Sequence, residues 1–166
     1  MTMPIELPDL DRLPSVLETS EVDQVLREIL AALDLNAEIS PSAAVERMAD
    51  ALSARGDRPD DRLDVEVSER LLRWIRAHWP TGDVDFAEQA MTVLCCLSCD
   101  GVGETLNQFL ARDTRPEIRA DLRQCLSELG LEDTTVRDRI SAHTTRQAPR
   151  DQAGDRNRRP FEEEET

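Results

Sequence analysis

The stretch that most constrains the fold of this chain runs from Gly103 to Gly130 and reads GETLNQFLARDTRPEIRADLRQCLSELG. Apolar side chains recur every three or four residues on both sides of a turn that carries Asp113 and Pro116. This spacing is typical of two amphipathic helices. Proline fits the first position of a helix, because its missing N–H would have no partner there. The stretch therefore predicts a helical hairpin closed by a tight turn, with Gly130 as a left-handed C-cap.

The same periodicity recurs outside this hairpin and predicts five more helices. The last of them, at about 133–145, has few apolar residues to anchor it. The first, at about 20–34, is expected to have Ser20 as its N-cap. The others are predicted from Ser40-Pro41 to Gly56, at about 65–79, and from Asp83 or Asp85 through Cys99. The helix ending at Cys99 is apolar around much of its circumference, so we expect it at the centre of the core. No segment alternates like a strand, and the predicted fold class is all-α.

The hairpin resembles a HEAT repeat, a family in which two antiparallel helices meet at a turn with Asp and Pro, followed by an aliphatic residue and Arg. Here Asp113, Pro116, Ile118 and Arg119 stand at those places. The resemblance implies a protein-binding scaffold in which these turn residues are structural. With six or seven helices, the chain is expected to form either a short HEAT-like stack of hairpins or a closed helical bundle.

The two ends of the chain differ in composition from its middle. Residues 1–18 contain three prolines among apolar residues, which predicts an extended amino-terminal arm lying on the domain or on a partner. Residues 19–145 are expected to form a single α-helical domain. Residues 146–166 carry dense mixed charge and a single large apolar residue, Phe161, so we predict a disordered charged tail.

Charge and hydropathy narrow the range of partners. The 166 residues include 35 acidic and 20 basic ones, all arginine, for a net charge of −15 that is not confined to one tail. Such a surface repels phosphate backbones, so no nucleic-acid partner is expected, and it attracts basic proteins. No apolar run reaches the roughly 20 residues of a membrane span, and the amino terminus lacks the features of a signal peptide. We therefore expect a cytoplasmic protein without membrane contact.

Three of the four cysteines are close together in sequence. Cys95 and Cys99 share one face of the predicted helix, Cys96 points about 100° away, and Cys125 lies in the next hairpin. A single helix cannot easily aim three thiols at one ion, so we interpret the four cysteines as reduced core residues. The alternative is a metal-binding or redox site built from all four.

The candidate partner-binding site is an aromatic–cationic patch, because Trp and Arg are frequent interface hot spots. It consists of Arg73, Trp74, Arg76 and Trp79. The competing interpretation is that one tryptophan closes the core and the other has no role in binding.

Catalytic patterns do not stand out from the sequence. It contains no phosphate-cradling glycine loop, no calcium loop and no Gly-x-Ser-x-Gly elbow. The two histidines, His78 and His143, fit helix ends better than catalytic roles. We expect no enzyme activity, no cofactor and no bound metal.

These observations favour a non-catalytic, acidic, helical protein-interaction module. A specific version is a bacterial immunity protein or antitoxin that covers the basic active site of a nuclease. The alternatives are a metal or redox protein that uses the cysteines, and an accessory subunit that docks through residues 4–17 on a larger enzyme assembly.

Overall fold

The computed structural model describes residues 6–56 and 62–131, and within them it contains helices and no strand. Two short 3-10 helices, Leu10–Arg12 and Trp79–Thr81, accompany six α-helices. The α-helices are α1 (Thr19–Leu35), α2 (Pro41–Ser53), α3 (Val65–His78), α4 (Val84–Cys96), α5 (Val102–Arg112) and α6 (Pro116–Glu128). The all-α prediction is confirmed. The predicted helix at 133–145 and the tail at 146–166 lie outside the described residues.

Local chemistry sets most of the helix starts. Pro41 and Pro116 open α2 and α6 as predicted, and Asp83 caps α4 by accepting a 2.8 Å hydrogen bond from the Phe86 N–H. The prediction of Ser20 as the first N-cap is wrong. Helix α1 starts one residue earlier, after Glu18, whose N–H donates to the carboxylate of Glu21 across 2.8 Å.

Two predicted helix ends lie too far along the chain. Helix α4 ends at Cys96 instead of Cys99, because Leu97 is extended and its N–H turns back to the Leu94 carbonyl. Helix α2 ends at Ser53, before Gly56. Beyond it the backbone leaves the helix to pair with the segment that precedes α1.

That segment lies on the helical body. The Leu17 N–H donates to the Ala54 carbonyl across 2.8 Å, and the Gly56 N–H donates to the Leu17 carbonyl across 3.1 Å. The Leu17 side chain is buried in the core, whereas Val16 is 65% exposed. Three further leucines pack partly buried against the core, namely Leu7, Leu10 and Leu13. The amino-terminal arm was expected to lie either on the domain or on a partner. In the structure, residues 6–18 lie on the chain's own domain.

Three of the described α-helices form a row. Helix α2 packs on α4, and α4 packs on α6, so these three lie side by side. Helix α1 packs on both α2 and α3, and α5 packs on α6. Helices that alternate in sequence are thus neighbours in space for the pairs α1–α3, α2–α4 and α4–α6.

Helix α4 is the middle member of its row, and its core-facing residues are fully buried as predicted. They are Phe86, Ala87, Ala90, Met91, Val93 and Leu94. The predicted stripes of the other helices also face this core, and the largest fully buried side chains among them include Leu26, Ile29, Met48, Leu71, Ile75, Leu106, Ile118 and Leu122. One apolar core therefore runs through all six helices.

The α5–α6 turn is tied down at both ends. Arg119 donates through one guanidinium nitrogen to the carbonyls of Leu110 and Asp113, the latter across 3.0 Å, so it caps the open end of α5. At the end of α6, Gly130 has φ +65°, and its N–H donates to the Ser127 carbonyl. The Leu131 N–H donates to the Leu126 carbonyl, which completes a Schellman motif.

None of the helices in the described part of the chain combines the length and the apolar character that a bilayer crossing demands.

Candidate functional site

A cavity of about 650 Å³ opens where the end of α3 meets the α5–α6 turn. Helix α3 contributes Arg76, the following 3-10 helix contributes Trp79, and α5 contributes Phe109 and Arg112. The site is therefore assembled by packing one hairpin on the next. We call it the arginine pocket.

Two aromatic rings form the floor of the arginine pocket. Trp79 and Phe109 stack with ring centroids 4.0 Å apart and planes 8° from parallel. The residues are only 5% and 7% exposed, so most of each ring is covered by the core. Pro80 stops α3 and starts the 3-10 turn that directs Trp79 inward. The floor is thus a rigid apolar surface with one polar edge, the indole N–H.

Asp113 occupies the wall between these rings and the turn, with its side chain 5% exposed. Its carboxylate accepts hydrogen bonds from the Trp79 indole at 3.1 Å, from the Arg115 backbone N–H at 3.0 Å, and from the Arg115 guanidinium at 3.0 and 2.6 Å. The Arg115 side chain, aided by its own backbone N–H and by Trp79 against the cost of burial, lowers the pKa of Asp113 to about 2. A carboxylate held in this way is a poor general base near neutral pH.

Arg115 is committed to the same wall. Its remaining guanidinium nitrogen donates to the Gly82 carbonyl across 3.0 Å, and its hydrogen bonds to Asp113 raise the Arg115 pKa. One side chain therefore joins the α3–α4 connection to the α5–α6 turn. Because Asp113 and Arg115 neutralise each other, the pair stabilises the wall of the pocket and has little capacity to bind a charged ligand.

Two arginines on the rim of the pocket have no direct ion-pair partner among the described residues. Arg76 donates to the neutral amide oxygen of Gln108 across 3.2 Å, and no carboxylate lies within ion-pair distance of it among the described residues. Arg112 is exposed and has no hydrogen-bond or ion-pair partner in the described part of the chain. On a chain of net charge −15, the pocket is a local cationic site.

The predicted patch of Arg73, Trp74, Arg76 and Trp79 is divided by the structure. Arg76 and Trp79 line the arginine pocket, whereas Arg73 is exposed on α3 and takes no part in the pocket lining. Trp74 is half-buried, with its ring 4.4 Å from that of His78 by centroids. The pattern of tryptophan and arginine therefore located half of this pocket.

The rest of the pocket has no local sequence signal. Trp79 and Asp113 are 34 positions apart, and their hydrogen bond exists only because two hairpins pack together. The sequence predicts Asp113 in the turn, where it lies, but its second role, as the acceptor for Trp79, depends on tertiary structure. Nothing in the sequence singles out Arg112, because a single arginine at a helix end is explained by the helix dipole.

His78 holds its place through the main chain. Its Nδ1–H donates to the Trp74 carbonyl across 2.8 Å, which fits the predicted helix-end role. His143 lies outside the described residues.

The cysteines divide into a pair and two separate thiols. The sulfur atoms of Cys95 on α4 and Cys125 on α6 face each other, with the two Cα atoms 7.0 Å apart, because these helices pack side by side. The prediction of reduced thiols stays a prediction for this pair. Cys96 and Cys99 are free, and burial raises the pKa of both, which makes their thiolates scarcer at neutral pH.

The four cysteines do not converge on one point. Nowhere in residues 6–56 and 62–131 do three or more His, Cys, Asp or Glu side chains form a group able to hold a metal ion. The Cys95–Cys125 pair lies in an open groove between α4 and α6, whose rim carries Glu88, Asp121 and Glu128. We call this the acidic groove.

No family model, no curated protein and no solved structure matches this chain. The resemblance of the α5–α6 hairpin to a HEAT repeat stays a prediction, and the chemistry of the two sites has to be judged from the residues themselves.

Proposed function

We propose that this chain is a non-catalytic, cytoplasmic protein-interaction module built as a short stack of HEAT-like hairpins. The observation that carries the proposal is a net charge of −15 on a chain whose described residues form a helical body. The row formed by α2, α4 and α6 supports the stack, because solenoid repeats place alternate helices side by side in this way. Stacks of this kind offer broad surfaces for protein partners.

The chemistry of the arginine pocket supports binding over catalysis. Its one carboxylate, Asp113, is engaged by Arg115 and Trp79, and its low pKa removes it as a proton acceptor of useful strength. What the pocket offers to a ligand is a stacked aromatic floor and two arginines. These are the groups that most often anchor protein partners.

The partner best suited to the body is a basic protein. Opposite charge accelerates encounter and fixes orientation, and the effect weakens as salt screens it. The specific version is an immunity protein or antitoxin that covers the cationic active site of a nuclease.

The test is capture of a partner by the untagged chain, followed by purification of that partner and measurement of the dissociation constant. We expect binding to weaken at least tenfold when ionic strength rises from about 0.05 to about 0.5 M. Binding that is indifferent to salt would contradict a basic partner. For the immunity version, the partner must also be a nuclease that loses its activity in the complex.

Variants that remove the same number of charges from different faces identify the face that binds the partner. Neutralising the rim of the acidic groove, with Glu88→Gln, Asp121→Asn and Glu128→Gln, tests the α4–α6 side. Replacement of three exposed glutamates elsewhere, Glu28 on α1, Glu46 on α2 and Glu69 on α3, by Gln is the control. A selective loss of affinity in the first variant places the partner on the acidic groove, and equal small losses point to a diffuse electrostatic surface.

A second candidate function follows from the Cys95–Cys125 pair. In a thiol–disulfide role, the two thiols give up two protons and two electrons to an oxidising disulfide of a partner and become joined to each other. The measurement is the mass of the intact chain and of its peptides after exposure to oxidised and reduced glutathione, with Cys96→Ser and Cys99→Ser as controls. Reversible loss of two hydrogens at Cys95 and Cys125 would support this role, and bound zinc or iron in purified protein would favour a metal role instead.

A further inference from the structure

The arginine pocket is opposite in sign to the rest of the chain. Three arginines line it, Arg76, Arg112 and Arg115, against a single carboxylate, Asp113. That carboxylate is already paired with Arg115, so the surplus charge belongs to Arg76 and Arg112. A site of this kind attracts an anionic group, although the chain as a whole repels anions.

We infer that the arginine pocket binds a peptide carboxylate, the side chain of Asp or Glu, that has an aromatic or large aliphatic residue next to it. The guanidinium groups of Arg76 and Arg112 match a carboxylate in geometry as well as in charge, because their planar N–H groups can donate in pairs. The exposed edges of the stacked Trp79 and Phe109 rings also line the pocket, together with Pro80, and offer a small apolar surface for the neighbouring residue.

The structure of the rim explains why these two arginines are available. Arg76 donates only to the neutral amide of Gln108, and Gln108 is itself oriented by a 2.9 Å hydrogen bond to Glu104. Exchange of a neutral acceptor for a charged one strengthens the hydrogen bond of Arg76. Arg112 is exposed at the end of α5 and needs no rearrangement to meet a ligand.

A short acidic segment suits the pocket better than a long polyanion. A nucleic acid would bring many phosphates close to the surrounding acidic surface, and the repulsion would grow with its length. One or two carboxylates next to an apolar residue meet only the cationic rim and the aromatic floor. The ligand class is therefore an acidic peptide segment.

This inference deepens the proposed function, because it names the chemistry of the partner segment that enters the pocket. A basic partner that carries one acidic–apolar segment would complement both the acidic surface of the body and the arginines of the pocket. Arg76 and Arg112 would then fix the orientation of the partner, because a carboxylate of the partner placed elsewhere on the acidic body would be repelled.

The experiment is calorimetric titration of the whole chain with acetyl-Phe-Glu-Glu-amide and with its neutral match acetyl-Phe-Gln-Gln-amide. We expect saturable binding of the glutamate peptide and binding at least tenfold weaker for the glutamine peptide. Arg112→Gln and Arg76→Gln should each weaken the glutamate peptide about tenfold, and Arg73→Gln, an exposed arginine of α3 that does not line the pocket, should leave it unchanged.

A spectroscopic readout locates the ligand. In Trp74→Phe protein, Trp79 is the one remaining tryptophan, and its emission should change with the glutamate peptide over the same concentrations as the heat. Equal binding of both peptides, equal losses in Arg73→Gln and Arg112→Gln, or a titration without any response of Trp79 would each overturn the inference. Capture of the partner is measured separately, so a failed peptide titration with intact, salt-dependent partner binding removes the pocket inference and leaves the proposed function standing.

Discussion

The indole N–H of Trp79 donates to the carboxylate of Asp113 across 3.1 Å, and this bond joins the end of α3 to the turn between α5 and α6. The Arg115 guanidinium holds the same carboxylate and also donates to the Gly82 carbonyl. Asp113, a residue of the α5–α6 turn, thus stabilises its own hairpin and also contacts the end of α3. Four predictions follow from this and three neighbouring features.

Asp113→Asn should lower the free energy of unfolding at pH 7 by about 2 kcal/mol, because charge-assisted hydrogen bonds become neutral ones. Urea unfolding measures the change. The pKa of Asp113 is about 2 in the folded chain against 3.8 for a free group, so its stabilisation is complete above about pH 4 and is lost as pH falls toward 2. The gap between the two proteins should therefore close over this range.

Asp50→Asn is the matched control for that experiment, since Asp50 is exposed on α2 and is not among the partners of Asp113 or Arg115. Its effect should be within about 0.5 kcal/mol at neutral pH. A wild-type advantage over Asp113→Asn that stays constant from pH 5 to pH 2 would contradict the assigned role of the carboxylate.

Arg119→Ala should cost about 1–2 kcal/mol, because the carbonyls of Leu110 and Asp113 lose their donor at the end of α5. Arg123→Ala, one turn further along α6 and exposed, is expected to change stability by less than about 0.5 kcal/mol. Thermal unfolding of the two variants side by side provides the comparison. If they unfold together, the capping role of Arg119 is wrong.

Thr105→Val should leave stability unchanged or raise it by about 1 kcal/mol. The Thr105 hydroxyl is fully buried and has no hydrogen-bond partner within the described residues, so its replacement by a methyl group removes an uncompensated polar atom. Thr92→Val tests the same exchange at an exposed site of α4, where little change is expected. A clear loss in Thr105→Val alone would mean that the hydroxyl has a partner.

Gly130→Ala should destabilise the chain by about 1 kcal/mol, because Gly130 has φ +65° and a side chain there adopts a disfavoured backbone conformation. Apart from its chain neighbours, no atom of residues 6–56 and 62–131 lies within 4 Å of the position that a Cβ would take, so these residues add no steric crowding. Gly130→Asn should lose less than Gly130→Ala, since Asn tolerates this conformation. Equal losses would point away from backbone strain.

The helices were predictable because their signals are local. Apolar spacing and start signals such as Pro41, Asp83 and Pro116 identified the six helices of the described residues, and the all-round apolar character of α4 placed it in the middle. The errors lie at ends that distant parts of the chain decide. Helix α2 stops early because its exit pairs with Leu17, which no pattern near Ser53 reveals.

The arginine pocket was only half predictable for the same reason. Trp79 and Arg76 share a helix end and were grouped by sequence, whereas Arg112 and Asp113 reach them through packing. Composition also misleads at this site, since a net charge of −15 describes the average surface and hides a cationic rim. Local exceptions to a global charge become visible only in three dimensions.

The packing of α2, α4 and α6 in one row also has a consequence for how the chain folds. Helices α1 and α2, like helices α5 and α6, pack against each other across a short connection, so these contacts form with little loss of chain entropy. Folding can begin at whichever hairpin forms first and proceed from there in either direction along the chain. We expect submillisecond-to-millisecond acquisition of helical structure, and damage at one end that leaves the opposite end able to fold.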